Sequence, residues 1–327
     1  MTRKLVLAAA IVSACRVPET TVSESPSPIA VWLDVDPAVR RGGHEPDDGL
    51  ALLQAFHSPE LEIVGVSVVF GNSPLEIGYP IAQEIVSRFG PEGLAVYSGA
   101  SGAEELGVET DASRALTAAL GESALSILAL GPVTNVATVL TNHPELAGRI
   151  NRIIAVAGRR PGQRFTLGEG GAPLMDFNFE LDPAGFQVLL DSGAPVILAP
   201  FEISSKTPLG EEQIERFATV PEIGEFFLEP LRDYVEWYDE RFAIRAIFPF
   251  DTLAVAYLTS PDWIQCEELP VEIQTLPDDV RPGEEKPYLL ASKDLPSSQR
   301  VTYCHSASEA FTEDLMRRML AANEVDK

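Results

Sequence analysis

Short apolar runs alternate with segments whose apolar residues recur every three or four positions, and this alternation dominates the chain from Ile29 onward. Ile29 to Val35, Leu61 to Val69, Leu94 to Tyr97, Leu125 to Leu130, Ile153 to Ala157 and Pro195 to Ala199 are compact and mostly apolar, the pattern of strands buried on both faces. Between them, Asp48 to Phe56, Glu76 to Phe89, Asn135 to Leu140 and Pro183 to Asp191 carry helical periodicity. Such alternation predicts an α/β fold with an open, mostly parallel, Rossmann-like sheet flanked by helices. Glu211 to Arg241 is a longer helical stretch dense in aromatics, with Phe226, Phe227, Tyr234, Trp237 and Tyr238. No internal repeat or linker interrupts the pattern, so residues 29–327 are expected to form one domain.

The first 28 residues follow other rules. Met1-Thr2-Arg3-Lys4 is a basic start, and Leu5 to Val12 is an apolar run too short to span a bilayer, so residues 1–15 read as a signal peptide. Val12-Ser13-Ala14-Cys15 resembles a bacterial lipobox, in which the cysteine becomes lipidated. Residues 16–28, rich in Thr, Ser, Pro and Glu, suit a flexible tether. The expectation is an exported lipoprotein facing the periplasm or cell exterior, touching the membrane only through its lipid. Cys266 and Cys304 then form an even pair, bridged between neighbouring strands or left as two buried thiols.

Charge narrows the partners. The chain holds 24 Lys+Arg and 49 Asp+Glu, a net charge of −25 that repels nucleic acid and favours cations and neutral small molecules.

The acids are also placed where chemistry happens. Strand Ile29 to Val35 runs into Asp34-Val35-Asp36-Pro37, and Asp47-Asp48 open the next helix. Ligands of parallel sheets bind at the carboxyl ends of the strands, and carboxylates gathered there repel one another unless a cation neutralises them. Several hard oxygen donors without His or Cys suit Ca²⁺ or Mg²⁺ rather than zinc. Helix capping accounts for Asp47 and Asp48 alone and leaves Asp34 and Asp36 unexplained.

Asp34-Val35-Asp36-Pro37 followed by Asp47-Asp48-Gly49-Leu50-Ala51-Leu52 resembles the metal and ribose motif of the inosine-uridine-preferring nucleoside hydrolases. Further matches follow in order: Val69-Phe70-Gly71-Asn72, Leu130-Gly131-Pro132-Val133-Thr134-Asn135, Asp176-Phe177-Asn178 with Asp182-Pro183, and Asp251-Thr252-Leu253-Ala254-Val255-Ala256-Tyr257. The resemblance implies a nucleoside hydrolase fold and calcium-dependent cleavage of the N-glycosidic bond of ribonucleosides or related N-ribosides. It assigns the metal to Asp36, Asp48, Asp251 and the Leu130 carbonyl. Asp47 and Asn72 would bind the ribose hydroxyls, and Asp176 and Asn178 the sugar's outer hydroxyl side. Because the ribose gains positive charge and the base negative charge, Asp36 is expected to accept a proton from water attacking C1′. Asp34 supports the strand end. Family members are commonly dimers or tetramers, and a homodimer or homotetramer is the expectation here.

Two features depart from the family pattern. Ala38 to Pro46 lengthens the connection between Asp-Pro and the Asp pair, so the metal set survives only if this segment loops outward and returns Asp47 to the strand end. Its Arg40, Arg41 or His44 would reach the substrate, or the segment is simply an exposed loop. Phe250 stands immediately before Asp251, where these hydrolases carry a His that protonates the departing base. His44 is the one plausible replacement acid, since His57, His143 and His305 read as helix-end or surface residues. Otherwise Phe250 and Trp237 stack the base, or the leaving group needs little help. Two other readings stay open: a lipid-anchored nucleoside-binding protein without turnover, and a haloacid-dehalogenase-like phosphatase with Asp34 as nucleophile.

Overall fold

The computed structural model describes residues 27–39, 45–168 and 170–321. The expected signal peptide, Cys15, nearly all of the tether, and Arg40, Arg41 and His44 lie outside the described residues. In chain order, β1 (Ile29–Val35), α1 (Asp47–Phe56), β2 (Leu61–Val68), α2 (Leu75–Phe89), β3 (Val96–Ser98), α3 (Asp111–Glu122), β4 (Leu125–Ala129), α4 (Thr134–Asn142) and β5 (Ile150–Ala155) alternate as anticipated. A short ribbon of β6 (Phe165–Thr166) and β7 (Pro173–Leu174) precedes α5 (Phe177–Leu181), α6 (Pro183–Asp191), β8 (Val196–Leu198) and α7 (Phe201–Ser204). Next come β9 (Leu209–Gly210), α8 (Glu211–Glu215), the long α9 (Pro221–Phe242), β10 (Ala246–Ile247) and α10 (Thr252–Thr259). Three longer strands, β11 (Ile264–Pro277), β12 (Glu285–Ala291) and β13 (Arg300–Ala307), and a last helix, α11 (Phe311–Met319), complete the fold.

Nine strands form one sheet in the order β12-β11-β13-β8-β5-β4-β1-β2-β3. From β13 to β3 every pairing is parallel, whereas β11 runs antiparallel to both β13 and β12. The expected open, mostly parallel α/β sheet is therefore present, with an antiparallel extension at one edge. The central strand β1 is covered on both faces, which is why Val31 to Val35 is an almost unbroken apolar run. Trp32 lies flat over Gly65 of β2, where a Cβ would stand 2.4 Å from its ring. α1 and α10 are apolar almost all round, and their buried residues form much of the core between sheet and helices.

Three elements have weak sequence signals. α3 starts at a reciprocal Thr110–Ser113 cap rather than at a Glu-bearing box, and β12 and α11 follow long polar turns. α11 is fixed by Arg318, which bonds Glu60, Ser58 and Asp314. Among the described residues no helix is long and apolar enough to cross a membrane.

Cys266 and Cys304 face each other across β11 and β13 and are disulfide-bonded, closing a separation of 38 residues. A bridge of that span constrains the unfolded chain by about 2–4 kcal/mol. Breaking it with Cys266→Ser is expected to lower the melting temperature by roughly 4–8 °C. Alkylation of Cys266 or Cys304 in unfolded, unreduced protein would speak against the bridge.

Candidate active site

The carboxyl ends of the parallel strands open into a cavity of about 510 Å³. Each expected donor arrives from a different element: Asp36 just beyond β1, Asp47 and Asp48 at the start of α1, Asn72 after β2 and Leu130 after β4. Asp176 and Asn178 come from the start of α5, and Asp251 from the residue before α10. Asp47, Asn72, Leu130, Asp176, Asn178, Trp237, Phe250 and Asp251 line the cavity. Asp36 and Asp48 are buried behind Asn72 and both are bonded to it.

Local geometry explains the spacing of the motifs. The Asp36 amide donates to Asp48 Oδ1 at 2.9 Å, so the long segment between them does return the Asp pair to the strand end. The Asn72 amide donates to Asp36 Oδ2 at 2.7 Å. Gly71 has φ +155°, and a Cβ there would stand 1.9 Å from Asp36 Oδ2; at Gly131 it would stand 2.9 Å from Asp36 Oδ1. Both glycines therefore exist to let two loops close on one carboxylate.

Asp47, Asp48 and Asp251 each bring one oxygen to within 4.8 Å of the others, all three buried. Asp36 Oδ1 is also buried and has no hydrogen-bond partner in the protein. Burial raises all four carboxyl pKa values, and for Asp36, Asp47 and Asp251 neighbouring acids push further in the same direction. A polar atom left bare in the interior beside such a cluster fits a cation site, and the all-oxygen donor set suits a hard ion. The residues thus fit a metal ion. The grouping differs in detail from the expected set, since Asp47 joins Asp48 and Asp251 in the tight cluster. The Leu130 carbonyl accepts from Asn178 Nδ2 at 2.6 Å.

Asp176 is held by a second network. Its Oδ2 accepts from the Gly158 amide at 2.8 Å, and its own amide donates to Glu180 Oε1 at 2.9 Å. Glu180 in turn meets Lys286 Nζ at 2.7 Å and Arg159 at 3.4 Å, while both cations also reach Asp279. Burial lifts Asp176 to about 6 against the opposing pull of Arg159.

The aromatic stripe of α9 divides between core and cavity. Phe226 and Phe227 are core residues, whereas Tyr234, Trp237 and Tyr238 line the cavity. Trp237 stacks on Tyr234 with centroids 5.4 Å apart and planes at 8°. Phe250 packs with Phe201, which stacks on Phe165 at 4.5 Å, and all three rings line the cavity. His57 bonds the Arg318 carbonyl, His143 faces Glu145, and neither these nor His305 lines the cavity.

Asp34 is fully buried, accepts from Ser67 and Asn135, and does not line the cavity. Its Oδ1 is committed to Ser67 and Asn135, which speaks against a phosphoryl nucleophile and leaves Asp34 supporting the strand end.

Sequence reasoning missed Glu45, Arg159, Phe165 and Phe201. Glu45 lines the cavity together with Tyr234 and is pushed by burial to about 7; its direct abutment on Pro46-Asp47 was the available signal. For Arg159, the Gly-Arg-Arg that follows a strand end was the clue.

Comparison with known proteins gives the same picture. A family model described as inosine-uridine preferring nucleoside hydrolase matches residues 31–286. A pyrimidine-specific ribonucleoside hydrolase of Escherichia coli O7:K1 is 28% identical over 277 residues, spanning 76% of this chain and 85% of that protein. The fold is similar to that of a plant nucleoside hydrolase (TM-score 0.75, 20% identity, 90% of this chain and 100% of the other). It is also similar to a purine-preferring ribonucleoside hydrolase from Gardnerella vaginalis (TM-score 0.70, 21% identity, 89% and 98%).

Proposed function

The chain belongs to the inosine-uridine-preferring nucleoside hydrolase family and is an N-glycosyl hydrolase of nucleosides, and from that premise we propose that it works with calcium on ribonucleosides or related N-ribosides. The observation that carries the calcium reading is the buried, all-oxygen convergence of Asp47, Asp48 and Asp251 beside the bare Asp36 Oδ1. Asp36, Asp48, Asp251 and the Leu130 carbonyl would hold the ion, with Asp47 at its edge. Bound there, calcium would supply the positive charge that lets these carboxylates stay ionised together and that acidifies water at the site.

The protein's own groups do the rest. Asp36 Oδ1 has no other proton to accept, so it is the general base for the attacking water. Asp47 and Asn72 hold the vicinal diol, and Asp176 and Asn178 hold the sugar's outer hydroxyl side, fixing C1′ over the acids. Phe250 and Trp237 offer flat faces to the base. The proposal extends to location: an exported lipoprotein anchored through Cys15, assembled as a homodimer or homotetramer.

Ribose release from a nucleoside panel tests the reading, and a chelator is expected to abolish it. Binding without ribose release would sink it. Stability supplies a second readout. Carboxyls whose folded pKa is raised hold protons more tightly in the folded chain, so their contribution is greatest below the unfolded value and declines as pH rises. For Asp34 and Glu45 that decline runs up to about 7. Metal-free protein is therefore expected to lose melting temperature as pH rises through this range, and calcium to restore more at about pH 8 than at about pH 5. An equal gain at both pH values would count against the acidic cluster as the calcium site.

A further inference from the structure

The cavity's leaving-group side is unusual in what it lacks and what it supplies. Among the described residues no His lines the cavity, and the side chain beside Asp251 is Phe250. Phe250 belongs to a row of rings, 5.8 Å from Phe201 with planes at 22°, and Phe201 is 4.5 Å from Phe165 at 17°. Trp237 and Tyr234 form a second parallel pair on the same cavity. The charged groups on the wall are Glu45, Asp47, Asp176 and Asp251, with Arg241 as the single cation among the described lining residues. The nearby buried cations are already matched: Arg159 by Glu180 and Asp279, Lys286 by Glu180, Asp278 and Asp279.

Aromatic faces attract a planar cation, and two rings of this wall already face guanidinium groups, Phe165 that of Arg159 at 3.9 Å and Trp237 that of Arg241 at 5.8 Å. Bond breaking leads to the same class of ligand. When a neutral base departs, the electron pair of the C1′–N bond makes it an anion, which needs a proton to leave easily. When the glycosidic nitrogen is quaternary, that pair returns to a positively charged ring and cancels its charge.

We infer that the preferred substrate is a cationic N-riboside whose leaving group is a heteroaromatic ring bonded to ribose through a quaternary nitrogen, an N-ribosylpyridinium in the simplest form. The inference rests on the N-riboside hydrolysis proposed above and specifies its substrate. The C1′–N bond breaks with its electron pair on nitrogen, the ring leaves neutral, the water oxygen bonds to C1′, and the water proton passes to Asp36 and then to solvent. One riboside cation and one water give ribose, a neutral heterocycle and one proton, so no acid is needed on the departing side. Phe250 beside Asp251 and the row of rings then have a single explanation.

The test uses the whole calcium-loaded protein with three substrates: N-ribosylpyridinium carrying a 3-carboxamide, uridine and inosine. The expected result is a kcat/KM for the pyridinium at least about a hundredfold above both neutral nucleosides. Charge recognition is read separately from reactivity, with C-ribosylbenzene, the neutral isostere, as a competitive inhibitor expected to bind at least about tenfold more weakly than the pyridinium's KM indicates. Ring-substituted pyridiniums of decreasing basicity are expected to react progressively and steeply faster, as they must when no proton reaches the leaving group. Uridine or inosine turning over as fast as the pyridinium would overturn the inference and leave N-riboside hydrolysis standing. A flat dependence on ring basicity would likewise overturn it, since departure of a neutral ring would then not govern the rate. Failure to release ribose from all three compounds would overturn both readings together.

Discussion

Asp36→Ala is expected to lower kcat for ribose release by about a thousandfold or more while raising the melting temperature of the metal-free protein. The two effects have one cause. Asp36 sits fully inside the protein with one oxygen bonded by Asn72 and the other bare, crowded by Asp48 and Asp47. In the absence of a cation that arrangement is unfavourable, so deleting one acid relieves repulsion and burial cost together. In the proposed mechanism the same bare oxygen is the proton acceptor, so its loss removes a contribution typically worth about 10²–10⁴ in rate. A variant that is slow because it is misfolded would melt earlier, not later. Calorimetry with and without calcium, alongside a reducing-sugar assay, separates these outcomes, and normal turnover in Asp36→Ala would remove Asp36 from the mechanism.

The second large effect concerns the sugar. With the same base on ribose and on 2′-deoxyribose, kcat/KM is expected to differ by about ten-thousandfold in favour of ribose. Asp47 is buried and part of the acid cluster, and Asn72 donates its side-chain amide to Asp48 at 3.4 Å, so the two residues are fixed before any sugar arrives. A site built in advance to bond a diol leaves polar groups stranded when one hydroxyl is missing, and that penalty is much larger than loss of an apolar contact. Comparable rates for the two sugars would show that Asp47 and Asn72 do not hold the 2′-hydroxyl.

The parallel sheet and the acids at its rim were legible because they obey local rules. Strands buried on both faces must be apolar, and the acids follow their ends directly, as in Asp34-Val35-Asp36 after β1. The antiparallel edge was less legible, because β11 alternates partly exposed positions and β12 follows a polar turn whose pairing is a long-range decision. Glu45 was hidden for a different reason. Its importance comes from Tyr234, far away in the chain on α9, and no spacing rule connects a loop acid to a helix tyrosine. The row of Phe165, Phe201 and Phe250 is equally non-local, since three isolated aromatics acquire meaning only when the fold sets their planes nearly parallel. The disulfide lies between these extremes: the even pair and strand-like surroundings made it plausible, and the register of Cys266 opposite Cys304 makes it.

The antiparallel extension has a role beyond widening the sheet. Lys286, on its outermost strand, and Arg159 clasp Glu180, whose carboxylate fixes the backbone at Asp176, while Asp279 on the turn before that strand pairs with both cations. Those late residues therefore act as a remote brace for Asp176, the sugar's proposed anchor, so that a chain cut short before β12 would keep its acids and is expected to hold its ribose loosely.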